Sequence, residues 1–115
     1  MRRGEIVTVI LDPVRGSEAA KTRPAVVVSN DAANATATRL GRGVVTVVPV
    51  TSNTARIYPF QVLLPGHLTG LPHDSKAQAE QVRSVAVERI GARAGQLTAE
   101  LITELDQALR IHLSL

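Results

Sequence analysis

Apolar residues along this chain repeat with two different periods. Over Glu5–Leu11 (EIVTVIL), Ala25–Ser29 (AVVVS) and Val44–Val50 (VVTVVPV), β-branched residues crowd into short stretches bounded by turn formers, which predicts strands. Asp12-Pro13 stops the first. The second is apolar at successive positions, as a strand buried on both faces must be. Pro49 has no N–H to donate, so it predicts a bulge or an edge near that end of the third. Ile57–Leu64 reads as a fourth strand closed by Pro65-Gly66, and Ser75–Val87 (SKAQAEQVRSVAV) as one long bent strand or two short ones. Asn30–Arg42 is polar and rich in small residues, and reads as a loop.

The period changes in the last segment. Leu97, Leu101, Leu105, Ala108, Leu109 and His112 fall on one helical face, widened by Ile102 and Leu113. Thr98 stands where an N-cap belongs, with Glu100 and Glu104 near the positive helix start and Arg110 near its end. Asp106 and Arg110 are spaced as an i, i+4 pair. Leu113-Ser114-Leu115 reads as a continuation of the core helix. Strands followed by one helix, without βα alternation, predict a mainly β (α+β) fold: a small, partly closed antiparallel β-barrel with a C-terminal amphipathic helix. The 115 residues suit one domain, 1–115.

Composition narrows the function. Aromatics are 2% of the chain, and Tyr58 and Phe60 are the whole supply. The core is therefore aliphatic, and an extended platform of several base-stacking rings is excluded. The net charge is +3, and 11 of the 13 basic residues are arginine. Residues 1–56 hold eight cations against four anions, and the remainder five against six. A basic first half suits a polyanionic partner, most simply nucleic acid. With no cysteine there is no disulfide, thiolate zinc site or cysteine nucleophile. No apolar run is long enough to cross a membrane, and Met1-Arg2-Arg3 leads into a short run ending at Asp12, a strand and not a signal peptide. The expected compartment is the cytoplasm.

The chemistry-bearing residues sit at predicted strand ends. Ser17, Glu18, Lys21 and Arg23 share one short loop that runs through Pro24 into the second strand. Proline fixes its own φ and pushes Arg23 towards an extended backbone, which aims a permanently charged donor fork well shaped for a phosphate. Thr51-Ser52-Asn53-Thr54 follows the third strand, with Asp74-Ser75 and Glu80-Gln81 later. Singly these are ordinary turn residues. His67 and His73 lie in Pro/Gly-rich loops without metal-ligand spacing, and no P-loop, dinucleotide fingerprint or Gly-x-Ser-x-Gly elbow occurs. Together the arginine, hydroxyls and carboxylate suit a metal-free, cofactor-free cleavage of RNA. There the 2′-hydroxyl is the nucleophile and the protein stabilises the phosphorane charge and moves protons.

These residues resemble the MazF/PemK toxin endoribonucleases over nearly the whole chain. The landmarks are Arg3-Gly4-Glu5-Ile6, Leu11-Asp12-Pro13, Gly16-Ser17-Glu18 and Lys21 through Asp31. They continue with Val48-Pro49-Val50-Thr51-Ser52, Leu71-Pro72-His73-Asp74-Ser75 and Glu80-Gln81-Val82-Arg83-Ser84. The resemblance implies an SH3-like barrel of the CcdB/Kid type acting as a homodimer. It implies sequence-specific cleavage of single-stranded RNA, mRNA foremost, to 2′,3′-cyclic phosphate and 5′-hydroxyl ends, and a cognate MazE-like antitoxin with an acidic tail. Arg23 and Thr51 match the family's catalytic pair. Ser17, Ser75 and Gln81 match positions that line the RNA path, Lys21 and Ser52 join them as RNA-binding candidates, and Glu18, or water, is left to take the proton. Many members carry an aromatic in the first strand, where this chain has Val7-Thr8. The competing readings are a CcdB-like gyrase-binding toxin, whose signature is a functional C-terminal end, and a non-catalytic RNA-binding barrel.

Overall fold

Alternating side chains on the central strands divide the molecule into two apolar layers. The computed structural model describes residues 1–11 and 22–115. Within them lie β1 (Glu5–Ile10), β2 (Thr22–Val27), α1 (Asp31–Leu40), β3 (Val44–Thr51) and β4 (Gln61–Leu64). Then come α2 (Gly66–Thr69), β5 (Ser75–Gln78), β6 (Arg83–Ala86), β7 (Ile90–Gln96) and α3 (Ala99–Leu113). Ile6, Val26 and Val48 are cross-strand partners on β1, β2 and β3 and are fully buried. They face α3, where Leu101, Leu105 and Ala108 complete that layer with Val62, Leu64 and Ala77. The intervening Val7, Ala25, Val27 and Val47 point the other way and pack with Val45, Val85 and Ala37 of α1. Burial on both faces is why the central stretches of these strands are apolar at successive positions, as at Ala25–Val27 and Val47–Val50.

The sheet is antiparallel, seven-stranded and open, in the order β4-β5-β3-β2-β1-β7, with β6 also pairing β3. β3 changes partners along one edge, pairing β6 over Val44–Val47 and β5 at Val50 and Thr51. Pro49 falls in the gap between those two pairings, which meets the expectation of an irregularity there. Ser75–Val87 resolves into two short strands, separated by a 3-10 turn at Ala79–Gln81.

Four expectations are corrected. Asn30–Arg42 is not a loop: it holds α1. Asn30 Oδ1 accepts from Ala33 N at 2.7 Å, Arg39 lies in the last turn, and Gly41 closes the helix with φ 64°. Alanine is its commonest residue and only Asn34 and Ala37 are buried, so it has no apolar stripe to read. β4 begins at Gln61 and not Ile57, because Gln61 N turns back to Tyr58 O at 2.8 Å. Asp106 pairs with Arg3 Nη2 at 2.7 Å instead of Arg110, since Val28 O already holds Arg3 Nε at 2.7 Å. His112, Leu113 and Leu115 are exposed, so the core face of α3 ends at Leu109. Thr98 caps α3 as expected, accepting from Leu101 N at 3.2 Å. β7 was not predicted. Its IGARAGQ stretch has almost no apolar alternation and exists by pairing with β1 through two register shifts. Among the described residues no helix is long and apolar enough to cross a membrane.

Candidate active site

Strand ends from three parts of the chain converge on one cleft. β2 opens with Thr22 and Arg23, and Arg23 lies opposite Val9 of β1 with its side chain exposed. Pro24 follows, opposite Thr8, so the backbone at Arg23 is held extended by both proline and the ladder. β3 ends at Thr51, which is half-buried and lies opposite Lys76 of β5. Arg23 and Thr51, 28 positions apart in sequence, line a common cleft of about 340 Å³ together with Leu11, Pro49, Val50, Gln78, Gln81 and Arg83.

The cleft is positive. Two guanidiniums line it, no carboxylate does among the described residues, and neither Arg23 nor Arg83 forms an ion pair among those residues. Both side chains are exposed, so their donor forks are presented to solvent. The Thr51 hydroxyl oxygen accepts from Asn53 N at 3.2 Å, which leaves its own hydrogen available to donate. The amides of Gln78 and Gln81 add donors and acceptors. Such a set has the donors that binding a phosphodiester and stabilising added charge on it would require.

Of the residues singled out in sequence, Arg23, Thr51 and Gln81 come together here. Ser52 is exposed just beyond Thr51 and does not line the cleft. Ser75 is 5% exposed, opposite Leu64, and its hydroxyl donates to His73 O at 3.1 Å. Ser17, Glu18 and Lys21 lie outside the described residues. Sequence reasoning did not single out Gln78 or Arg83. The signal for Arg83 was local: Gln81 and Arg83 line the cleft while Val82 between them packs on the core. Glu80 turns away from the cleft. Its Oε2 accepts from Gln61 Nε2 at 2.6 Å, and its Oε1 is buried without a partner among the described residues. His67, His73 and His112 are exposed and elsewhere. Among the described residues no three His, Cys, Asp or Glu side chains are grouped to hold a metal ion.

Residues 2–113 match the family described as PemK-like, MazF-like toxin of type II toxin–antitoxin system. A relative named Endoribonuclease MazF9, from Mycobacterium tuberculosis strain ATCC 25618 / H37Rv, is 66% identical over 115 residues, covering 100% of this chain and 98% of the relative. Among solved structures, a MazE–MazF complex from Deinococcus radiodurans superposes with a TM-score of 0.78 at 30% identity, covering 100% of this chain and 96% of that one. An endoribonuclease in complex with its cognate antitoxin from a mycobacterial species superposes with a TM-score of 0.76 at 23% identity, covering 100% and 96%, a likeness of fold.

Proposed function

The chain belongs to the PemK-like, MazF-like toxins of type II toxin–antitoxin systems, and on that premise we propose that it cleaves single-stranded RNA at short specific sequences without a metal ion. It is the endoribonuclease toxin of such a pair, held in check by a MazE-type antitoxin. The products are a 2′,3′-cyclic phosphate and a 5′-hydroxyl, the main substrate is mRNA, and the compartment is the cytoplasm. One domain spans 1–115 and acts as a homodimer. The exposed Leu113 and Leu115 leave apolar surface for the second copy.

The observation that carries this reading is the meeting of Arg23 and Thr51 in one positive cleft. The substrate's 2′-hydroxyl attacks the adjacent phosphorus and the 5′-oxygen leaves. Arg23 neutralises the charge that builds on the phosphorane oxygens, and the Thr51 hydroxyl donates to them. Arginine stays protonated at neutral pH and is no base, so Glu18 or water takes the 2′-proton. Gln81, Ser17, Lys21, Ser52 and Ser75 are the RNA-path residues of this reading; the buried Ser75 serves by shaping β5 and not by touching the strand.

The test is incubation of purified protein with a long unstructured RNA in EDTA, beside Arg23→Ala, with cut ends sequenced. Discrete cuts with 5′-hydroxyl ends are expected, and a loss of about 10²–10³-fold or more in the variant, the scale of one oxyanion-stabilising donor. Intact RNA from folded wild-type protein would leave a binding module or a protein-directed toxin. An Arg23→Ala protein that cuts normally would remove Arg23 from the chemistry.

A further inference from the structure

The only two aromatic rings of this chain stand together. Tyr58 and Phe60 stack with centroids 5.3 Å apart and 2° between their planes. The guanidinium carbon of Arg56 lies 5.6 Å from the Tyr58 centroid, and Arg56 Nη1 donates to the Tyr58 hydroxyl at 3.1 Å. Tyr58 remains 42% exposed.

The pair's position follows from strand register. Thr51 and Lys76 are directly opposed, so their side chains leave the sheet on one face. Gln78, two residues beyond Lys76, shares that face and lines the cleft, and Gln61 lies opposite Gln78. The segment after Thr51 folds back over this face and is tied to it at two points. Lys76, only 8% exposed, donates to Arg56 O at 2.7 Å. Gln61 Oε1 accepts from Tyr58 N at 3.1 Å, and its amide nitrogen is held by Glu80 at 2.6 Å. Arg56 and Tyr58 are therefore anchored by the immediate neighbours of the cleft residues Thr51, Gln78 and Gln81.

We infer that Tyr58, backed by Phe60 and flanked by Arg56, is a stacking platform for one nucleobase of the RNA whose scissile phosphate lies at Arg23 and Thr51. This rests on the reading of the cleft as an RNA-cleaving site. Single-stranded RNA is read by splaying bases onto aromatic rings and guanidinium planes, and an exposed tyrosine beside an arginine offers both. Two rings provide for one base. The platform sits at the end of the β3–β4 connection, tied to Gln61 at the head of β4, so it fixes which nucleotide beside the cut is gripped.

The test compares wild type, Tyr58→Ala, Tyr58→Leu and Tyr58→Phe on a random-sequence RNA pool, with cut ends sequenced and steady-state constants measured on the preferred sequence. Loss of the ring is expected to lower kcat/KM about 5- to 150-fold, chiefly through KM, the worth of one stacked base. The base preference at one position beside the cut flattens in the Ala and Leu variants, while Tyr58→Phe keeps both. Tyr58→Leu retains apolar bulk for the loop without a π-face, so it carries the prediction if Tyr58→Ala does not fold. Folded Ala or Leu protein with wild-type KM and preference overturns the platform, as does an equal loss in Tyr58→Phe, which would assign the effect to the hydroxyl. Wild-type protein that cuts no RNA overturns the cleft reading itself, and the platform with it.

Discussion

Removing the second arginine of the cleft should weaken RNA binding by an amount that salt erases. Arg83 opens β6, lies opposite Val47, and presents an exposed guanidinium beside Gln81. Among the described residues it holds no ion pair, so Arg83→Gln strands no carboxylate there and should leave the fold intact. If Arg83 contacts one backbone phosphate, the variant releases one fewer counterion on binding. For a single strand that lowers the slope of log K against log salt by about 0.7. The same term makes binding roughly 5-fold weaker at about 0.1 M salt and equal to wild type near 1 M. The assay is fluorescence anisotropy with an RNA carrying a 2′-deoxy residue at the cut position, which binds but lacks the nucleophile, titrated across that salt range. Cleavage of the ordinary RNA should lose in KM and keep kcat. A deficit of equal size at every salt concentration would refute the phosphate contact and point to packing or a base contact. A fall in kcat alone would move Arg83 into the chemistry.

Two further predictions concern the frame. Leu105 is 2% exposed on the inner face of α3, so Leu105→Ala should cost about 2–5 kcal/mol; a urea melt should show a lower midpoint with an unchanged slope. A Cβ on Gly95 would run into the Thr69 carbonyl oxygen, so Gly95→Ala should destabilise by roughly 1–3 kcal/mol as α2 and β7 are forced apart, read as a lower melting temperature with cleavage intact below it.

The strands that carry the core were legible wherever burial wrote a pattern. β1, β2 and β3 each carry a crowded stretch of apolar, mostly β-branched residues because both faces are covered there, and α3 shows its stripe because one side packs on the sheet. α1 and β7 were not legible for the complementary reason. α1 is held by a cap and by alanine propensity, and buries only Asn34 and Ala37. β7 exists because β1 offers it an edge. The same limit applied to the cleft: Arg23 was marked by its proline and Thr51 by the strand it ends, whereas Gln78 carries no local mark of its role.

By itself the amino-acid order determined the apolar layers, the terminal helix with its Thr98 cap, the basic first half and the family to which the landmarks belong. These depend on neighbours within a few residues, where spacing and side-chain chemistry suffice. Tertiary structure alone decided which polar groups meet. It brought Arg23 and Thr51 to one cleft, set Gln78 and Arg83 beside them, buried Ser75, and gave Asp106 to Arg3 instead of Arg110. It also folded the segment after Thr51 back so that the chain's two rings stack over the same face. Strand register sets such meetings, and register is a property of pairs of segments distant in sequence, not of any one of them.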